Sequence, residues 1–242
     1  MPDYQKEIER IGEFLRKIIA DRKAVIGISG GIDSSVTLGI LSKFFLHENI
    51  KAVFMPDATT PKSDYDDVDV LASTFGVKYS TVNIQNIVDT FSKTLSAVDK
   101  GAIGNIKSRI RMIVLYYFAN IYNGIVVGTT NRTELLLGYY TKYGDGGCDV
   151  EPIEHLYKRD IYEIARLLGV PESIIKKKPT AGLWQGQTDE DEIGMPYSKI
   201  DDILSSIFDK GELREDPDFK KILDLHSKSD HKRRLPYSLS PD

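Results

Sequence analysis

The chain has 242 residues, 41% of them apolar and 28% charged, with a net charge of −4 and a single cysteine, Cys148. This is the balance of an ordinary globular protein. It gives no overall pull toward nucleic acid, and one cysteine excludes an intramolecular disulfide or a cysteine-based metal cluster. No run of eighteen apolar residues is available to span a bilayer, and Met1 to Lys6 lack the apolar core of a secretion signal, so a cytoplasmic protein with no membrane partner is expected.

Residues 4–20 carry Ile8, Ile11, Phe14, Leu15, Ile18 and Ile19 at helical spacing, one apolar stripe fit for a sheet or a second subunit. Ala24 to Ile28 reads as a buried parallel strand. A polar stop, Ser29-Gly30-Gly31-Ile32-Asp33-Ser34-Ser35, leads into a helix over Val36 to Leu46. Lys51 to Met55 is a second strand, ending at Pro56-Asp57. Ser63 is placed to cap a helix ending near Gly76, and a third strand covers Lys78 to Ile84. A helix to Leu95 precedes a glycine-marked break, Gly101 to Gly104, and then a long helix from Ile106 to Tyr122. Ile125 to Val127 is a fourth strand, Asn131 to Leu137 a short helix, and Val150 to Ile153 a fifth strand. Lys158 to Leu168 is helical, with a further turn over Pro171 to Lys177. Residues 179–196 read as a long loop whose acid run, Asp189 to Glu192, faces solvent. Helices over Tyr197 to Phe208 and Pro217 to His226 close the pattern. The alternation predicts one α/β domain over residues 1–242, a doubly wound, mostly parallel five-stranded sheet with helices on both faces. Ligands of such sheets bind beyond the strand C-termini at a topological switch point.

The strand-end candidates are Ser29 to Ser35, Pro56-Asp57 and Gly128 to Glu134, and three segments carry the chemical signals. In the first, Gly30 and Gly31 let the main chain approach an anion, and backbone N–H groups at a helix start bind phosphate without a cationic side chain. Asp33 would repel phosphate unless a divalent cation lies between them, which suggests Mg²⁺. Neither Walker A nor G-x-G-x-x-G is present. The second segment is Gly128-Thr129-Thr130-Asn131-Arg132-Thr133-Glu134. Glu134 from a first helical turn can hold the same Mg²⁺ as Asp33, or simply suit the helix dipole. The third is the glycine-rich Tyr140-Thr141-Lys142-Tyr143-Gly144-Asp145-Gly146-Gly147-Cys148-Asp149.

The Ser-Gly-Gly-x-Asp-Ser loop resembles that of the ATP pyrophosphatases, which cleave ATP between its α and β phosphates. With Gly-Thr-x-x-x-x-Glu, Thr-Lys-Tyr-Gly-Asp-Gly-Gly, Lys177-Lys178-Pro179-Thr180-Ala181 and His231-Lys232-Arg233, the chain from about residue 8 to 236 resembles the ammonia-dependent NAD synthetases. The resemblance implies a ligase that amidates deamido-NAD with ammonia, with ATP as co-substrate, Mg²⁺ as cofactor and an acyl adenylate as intermediate. It implies ATP binding by Gly27, Ile28, Ser29, Gly30, Gly31, Ile32, Asp33, Ser34, Thr129, Lys158 and Thr180. Asp33 and Glu134 fall on the metal ligands, and Asp33, Glu134 and Lys158 would carry catalysis. Arg109, Lys142, Asp149, His231 and Lys232 match deamido-NAD positions, and a homodimer with the dinucleotide at its interface is implied. Ile32 departs from the Gln or Val common in relatives, but its backbone alone should face phosphate. Another ATP pyrophosphatase, or a regulatory module that binds ATP without turnover, are the rivals. The pairing of Asp33 with Glu134 argues for turnover. His47 and His155 read as surface or packing residues. Cys148, with Asp145 and Asp149 beside it to raise its pKa, reads as a small filler, so glutamine should not replace ammonia.

Overall fold

The computed structural model describes residues 2–96, 98–184 and 186–239. In chain order its main elements are α1 (Tyr4–Ile19), β1 (Lys23–Ile28), α2 (Ile32–Phe44), β2 (Ile50–Phe54), α3 (Lys62–Phe75), β3 (Tyr79–Thr81), α4 (Gln85–Leu95), α5 (Lys100–Tyr122), β4 (Gly124–Val127), α6 (Arg132–Leu137), α7 (Lys158–Leu168), α8 (Glu172–Ile175), α9 (Asp189–Ile193), α10 (Tyr197–Phe208) and α11 (Pro217–Lys228).

β1 is apolar on both faces and lies inside the sheet, where all its neighbours pair parallel to it. Ala24 aligns with Ile50 of β2 on one side and Ile125 of β4 on the other. The two faces follow from the period of the strand. Ala24, Ile26 and Ile28 pack with α1, α2, α3 and α7 through residues such as Leu15, Val36, Leu71 and Ile161. Val25, Val53 and Val126 point the other way, onto α4 and α5, where Val88, Ile110 and Ala119 meet them. A further helical layer of α6, α9, α10 and α11 closes around Tyr197, Ile200, Leu204 and Phe219.

The sheet order is β3-β2-β1-β4. The chain steps outward from β1 to β3, then returns through α4 and α5 to β4 on the far side of β1. That reversal opens a crevice at the C-terminal ends of β1 and β4.

The sheet has four strands, not five. Val150 makes one isolated parallel bridge to Val127, and the ladder stops there because Pro152 has no N–H to offer. β3 covers only Tyr79–Thr81 of the strand expected over Lys78 to Ile84. α3 begins after Pro61, with no side-chain cap from Ser63. α5 runs without a break from Lys100, capped by Asp99, which accepts from the N–H of Ala102 at 2.7 Å. Gly104 marks a groove in that helix: a Cβ there would lie 3.1 Å from Leu183. The stretch 179–196 contains α9, and its Asp189 is buried, contrary to the expected solvated face. Of the apolar stripe of α1, Ile8, Ile11, Leu15 and Ile19 are buried inside the chain, while Phe14 stays exposed.

Candidate active site

The turn after β1 is built from its own hydroxyls. Ser34 Oγ donates to the carbonyl of Gly31 at 3.0 Å and accepts from the N–H of Ser29 at 3.3 Å. The N–H of Gly31 donates to Ser29 Oγ at 3.2 Å. Gly30 sits at φ +74°, which a side chain would strain, and a Cβ there would lie 3.3 Å from the Asp64 carbonyl. Gly31 is the N-cap of α2 and offers no side-chain cap, so the first amides of α2 face the crevice as an anion cradle.

Behind this cradle three charged side chains meet. Lys158 opens α7 and is 2% exposed; its Nζ donates to Asp33 Oδ2 at 2.6 Å and to Glu134 Oε1 at 3.1 Å. Its ammonium lies 5.1 Å from the centre of the Tyr197 ring. Burial alone would lower its pKa, but Asp33 and Glu134 outweigh that and hold it far above the ordinary lysine value. Burial pushes the Glu134 carboxyl up, opposed by Lys158 and reinforced by Asp33. Asn131 ties the group together. Its Nδ2 donates to Asp33 Oδ1 at 2.8 Å, and it shares a reciprocal cap with Glu134 at the start of α6.

A cavity of about 490 Å³ opens above these groups, within the usual range for a small-molecule site. Its walls include all of Gly27 to Ser34, with Thr129, Glu134, Lys158, Thr180 and Lys232. Among the described residues no three His, Cys, Asp or Glu side chains are grouped to hold a metal. The hard oxygen donors of Asp33 and Glu134 fit Mg²⁺ that completes its shell with substrate phosphate and water, which is how this ion is usually held.

The sequence profile of the NAD synthase family matches residues 4–236. The chain belongs to that family. It is 66% identical over 239 residues to the NH(3)-dependent NAD(+) synthetase of Thermoplasma acidophilum, covering 99% of each chain. A solved structure of NMN synthetase from Francisella tularensis superposes with a TM-score of 0.90 at 35% identity, covering all of both chains. The NH3-dependent NAD synthetase of Campylobacter jejuni, solved with a nitrate ion, gives a TM-score of 0.85 at 32% identity, over 99% of this chain and all of that one.

Of the five residues expected to meet deamido-NAD, four lie outside the cavity wall. Arg109 is exposed and donates to the carbonyl of Lys142 at 3.3 Å. The ammonium of Lys142 donates to the carbonyls of His231 and Arg234, clamping the C-terminal segment. Asp149 accepts from Tyr116 at 3.0 Å and from the N–H of Val126 at 2.8 Å. His231 is exposed at the surface. Lys232 does reach the cavity, and its ammonium donates to the carbonyls of Gly138 and Tyr140 at 2.6 and 2.7 Å. Burial lowers its pKa.

Several residues that shape the site carry no sequence signal of their own. Asp201 is fully buried; it accepts from Thr133 Oγ1 at 2.5 Å and from the N–H of Arg159 at 2.9 Å. Thr133 in turn accepts from the N–H of Lys158 at 3.0 Å, so one carboxylate aligns the starts of α6 and α7. Glu151 lies against Gly128, where a Cβ would come within 2.4 Å of its carboxyl, and it accepts from the N–H of Thr130 at 3.0 Å. Burial pushes its pKa up to about 7. Burial, with Glu151 next, also pushes the Cys148 thiol up. Asp145 is turned instead to Ser108 and the N–H of Thr141.

Proposed function

We propose that the protein amidates the nicotinate carboxylate of deamido-NAD with ammonia, converting ATP to AMP and pyrophosphate. The observation that carries this reading is the triad of Lys158, Asp33 and Glu134 beside the glycine cradle, in a chain matched along its length by NAD synthetases. The carboxylate is a poor acyl donor. Its oxygen attacks the α-phosphorus of ATP, pyrophosphate leaves, and an acyl adenylate results. Ammonia then attacks the acyl carbon and AMP departs.

The residues divide between these tasks. The turn over Gly27 to Ser34 lines the triphosphate, the first amides of α2 bind it, and the hydroxyls of Thr129 and Thr180 lie at its edges. Asp33 and Glu134 hold Mg²⁺, which supplies positive charge to the phosphate oxygens. Lys158, kept charged by its two carboxylates, faces the charge that grows on the α-phosphate during adenylation. Arg109, Lys142, Asp149, His231 and Lys232 serve deamido-NAD. Four of these five lie outside the cavity of one chain, which supports a homodimer whose second subunit completes the dinucleotide site. The outer face of α5 offers Ile113, Tyr117 and Ile121, each more than half exposed and spaced one turn apart. Such an apolar helix face supports an interaction surface. A cytoplasmic location fits this metabolism, and no helix among the described residues is long and apolar enough to cross a membrane.

The test is incubation of the purified protein with ATP, Mg²⁺, deamido-NAD and ammonium, with NAD and AMP measured together. Equal yields of both are expected. AMP without NAD would move the protein to another ATP pyrophosphatase reaction. Nicotinate mononucleotide is the informative competitor, because the Francisella neighbour is described as an NMN synthetase. Glutamine in place of ammonium should give no NAD, since the shielded, high-pKa Cys148 is a poor nucleophile.

A further inference from the structure

Residues 177–184 cross the mouth of the cavity from one face of the sheet to the other, and a lysine pins each end. On the α2 side, Lys177 donates to Asp64 at 2.7 Å, to Asp67 at 2.6 Å and to the carbonyl of Gly30 at 3.4 Å. On the α5 side, Lys107 donates to the carbonyl of Leu183 at 2.9 Å. Lys107 is only 4% exposed, and the same ammonium also binds Asp57 at 3.1 Å and Thr59 at 2.9 Å. It therefore joins the segment after β2 to the strap. One turn earlier on the same helix, Gly104 leaves the gap into which Leu183 fits. Next along the strap is Trp184, the sole tryptophan of the chain, half-buried in the cavity wall. The strap bends at Gly182, φ +62°, where the backbone conformation favours glycine and nothing packs within 4 Å.

A buried lysine whose three acceptors come from two separate loops is costly to leave half-satisfied. Asp57 already has Arg111 at 2.9 Å, so neutralising it does not require Lys107. What Lys107 alone supplies is the connection to Leu183.

We propose that Lys107 is a positioning residue that seats Leu183 in the Gly104 gap and so holds Trp184 as the wall on which an aromatic ring of a nucleotide substrate packs. This rests on the reading of the cavity as the ATP and deamido-NAD site. Indole against a heterocyclic base is a favourable stacking pair. The ring can come from ATP or from deamido-NAD, and separate titrations distinguish them.

The single tryptophan makes the test direct. Intrinsic fluorescence of the full chain is titrated with a non-hydrolysable α,β-methylene ATP plus Mg²⁺, and separately with deamido-NAD. Quenching by at least one of them is expected. Lys107→Met should shift the emission of the free protein to longer wavelength and raise KM for the corresponding substrate, ATP or deamido-NAD, about tenfold, with kcat changed less than about threefold. Lys107→Arg should restore much of the KM. Gly104→Val should reproduce the Lys107→Met behaviour without touching any charge, and Trp184→Ala, in an open strap, should raise the same KM in a folded protein. Normal KM in Trp184→Ala, or no quenching of the parent protein by either ligand, would overturn the proposal. Quenching by a nucleotide in a protein that makes no NAD would leave the strap standing and remove the proposed reaction instead.

Discussion

Asp33 and Glu134 share one ammonium, yet their surroundings are not equivalent. Asp33 also takes the Asn131 amide, whereas Glu134 takes only the N–H of Asn131. Both carboxylates are needed to balance Lys158 and to meet a cation. Asp33→Asn and Glu134→Gln should each lower the rate of AMP release at saturating Mg²⁺ by at least about a hundredfold, about 3 kcal/mol of transition-state stabilisation. Circular dichroism should show an unchanged fold, and near-normal turnover would refute the assignment. Glu151 gives a different readout, in stability. Its folded pKa of about 7 lies above the ordinary 4.5, so the folded protein prefers the protonated carboxyl. That contribution is complete below about pH 4.5 and is lost as pH rises through about 7. Glu151→Gln keeps the acceptor for the Thr130 N–H without the charge. The variant should match the parent near pH 4.5 and exceed it by on the order of 2 kcal/mol at pH 8, seen as a Tm higher by roughly 4–8 °C. A Tm difference that does not change with pH would contradict it.

At the level of elements, the site depends on helix starts being aligned, and Asp201 on α10 does this from below. Asp201→Ala leaves Thr133 and the Arg159 N–H without their partner. It should cost about 2 kcal/mol, a Tm drop of roughly 4–8 °C, and should lower kcat because Glu134 and Lys158 both shift. Calorimetry and steady-state assay of the same preparation check this, and an unchanged kcat would separate Asp201 from the site. The contrast with the phosphate turn shows what a sequence can disclose. Ser29 to Ser34 is legible because all its determinants are contiguous: an apolar strand, two glycines, and hydroxyls within hydrogen-bond reach of their own backbone. Glu134 is suggested by its place at a helix start after a buried strand, and Lys158 by the family resemblance alone. Asp201 and Lys107 are not legible, because each acquires its role from a partner tens of residues away and presents, in the sequence, as one more surface charge. The surplus strand at Val150 came from apolar character alone. It took the lack of a donor at Pro152, and the inward turn of Glu151, to end the ladder after one bridge. No break occurs at Gly101 to Gly104, where Gly104 serves the fit of Leu183 and not the helix's end.

In the whole molecule, α1 buries most of its stripe in the core, while α5 presents Ile113, Tyr117 and Ile121 to solvent. Tyr117→Glu should convert a dimer of 27.2 kDa chains to monomers in multi-angle light scattering at micromolar concentration and raise KM for deamido-NAD. A fully active parent that already runs as a monomer would dismiss the dimer. The order of the strands has its own bearing on how the molecule comes into being. β1 has its partner β2 close by in the chain, but its other neighbour, β4, begins at Gly124, and Lys158 and Asp201 come later still. During translation the residues of the phosphate turn are therefore made long before the lysine, the second carboxylate or the buried aspartate that aligns them. The three charged groups cannot meet until the chain has been made through Lys158, and their helix starts cannot be held together until Asp201 follows.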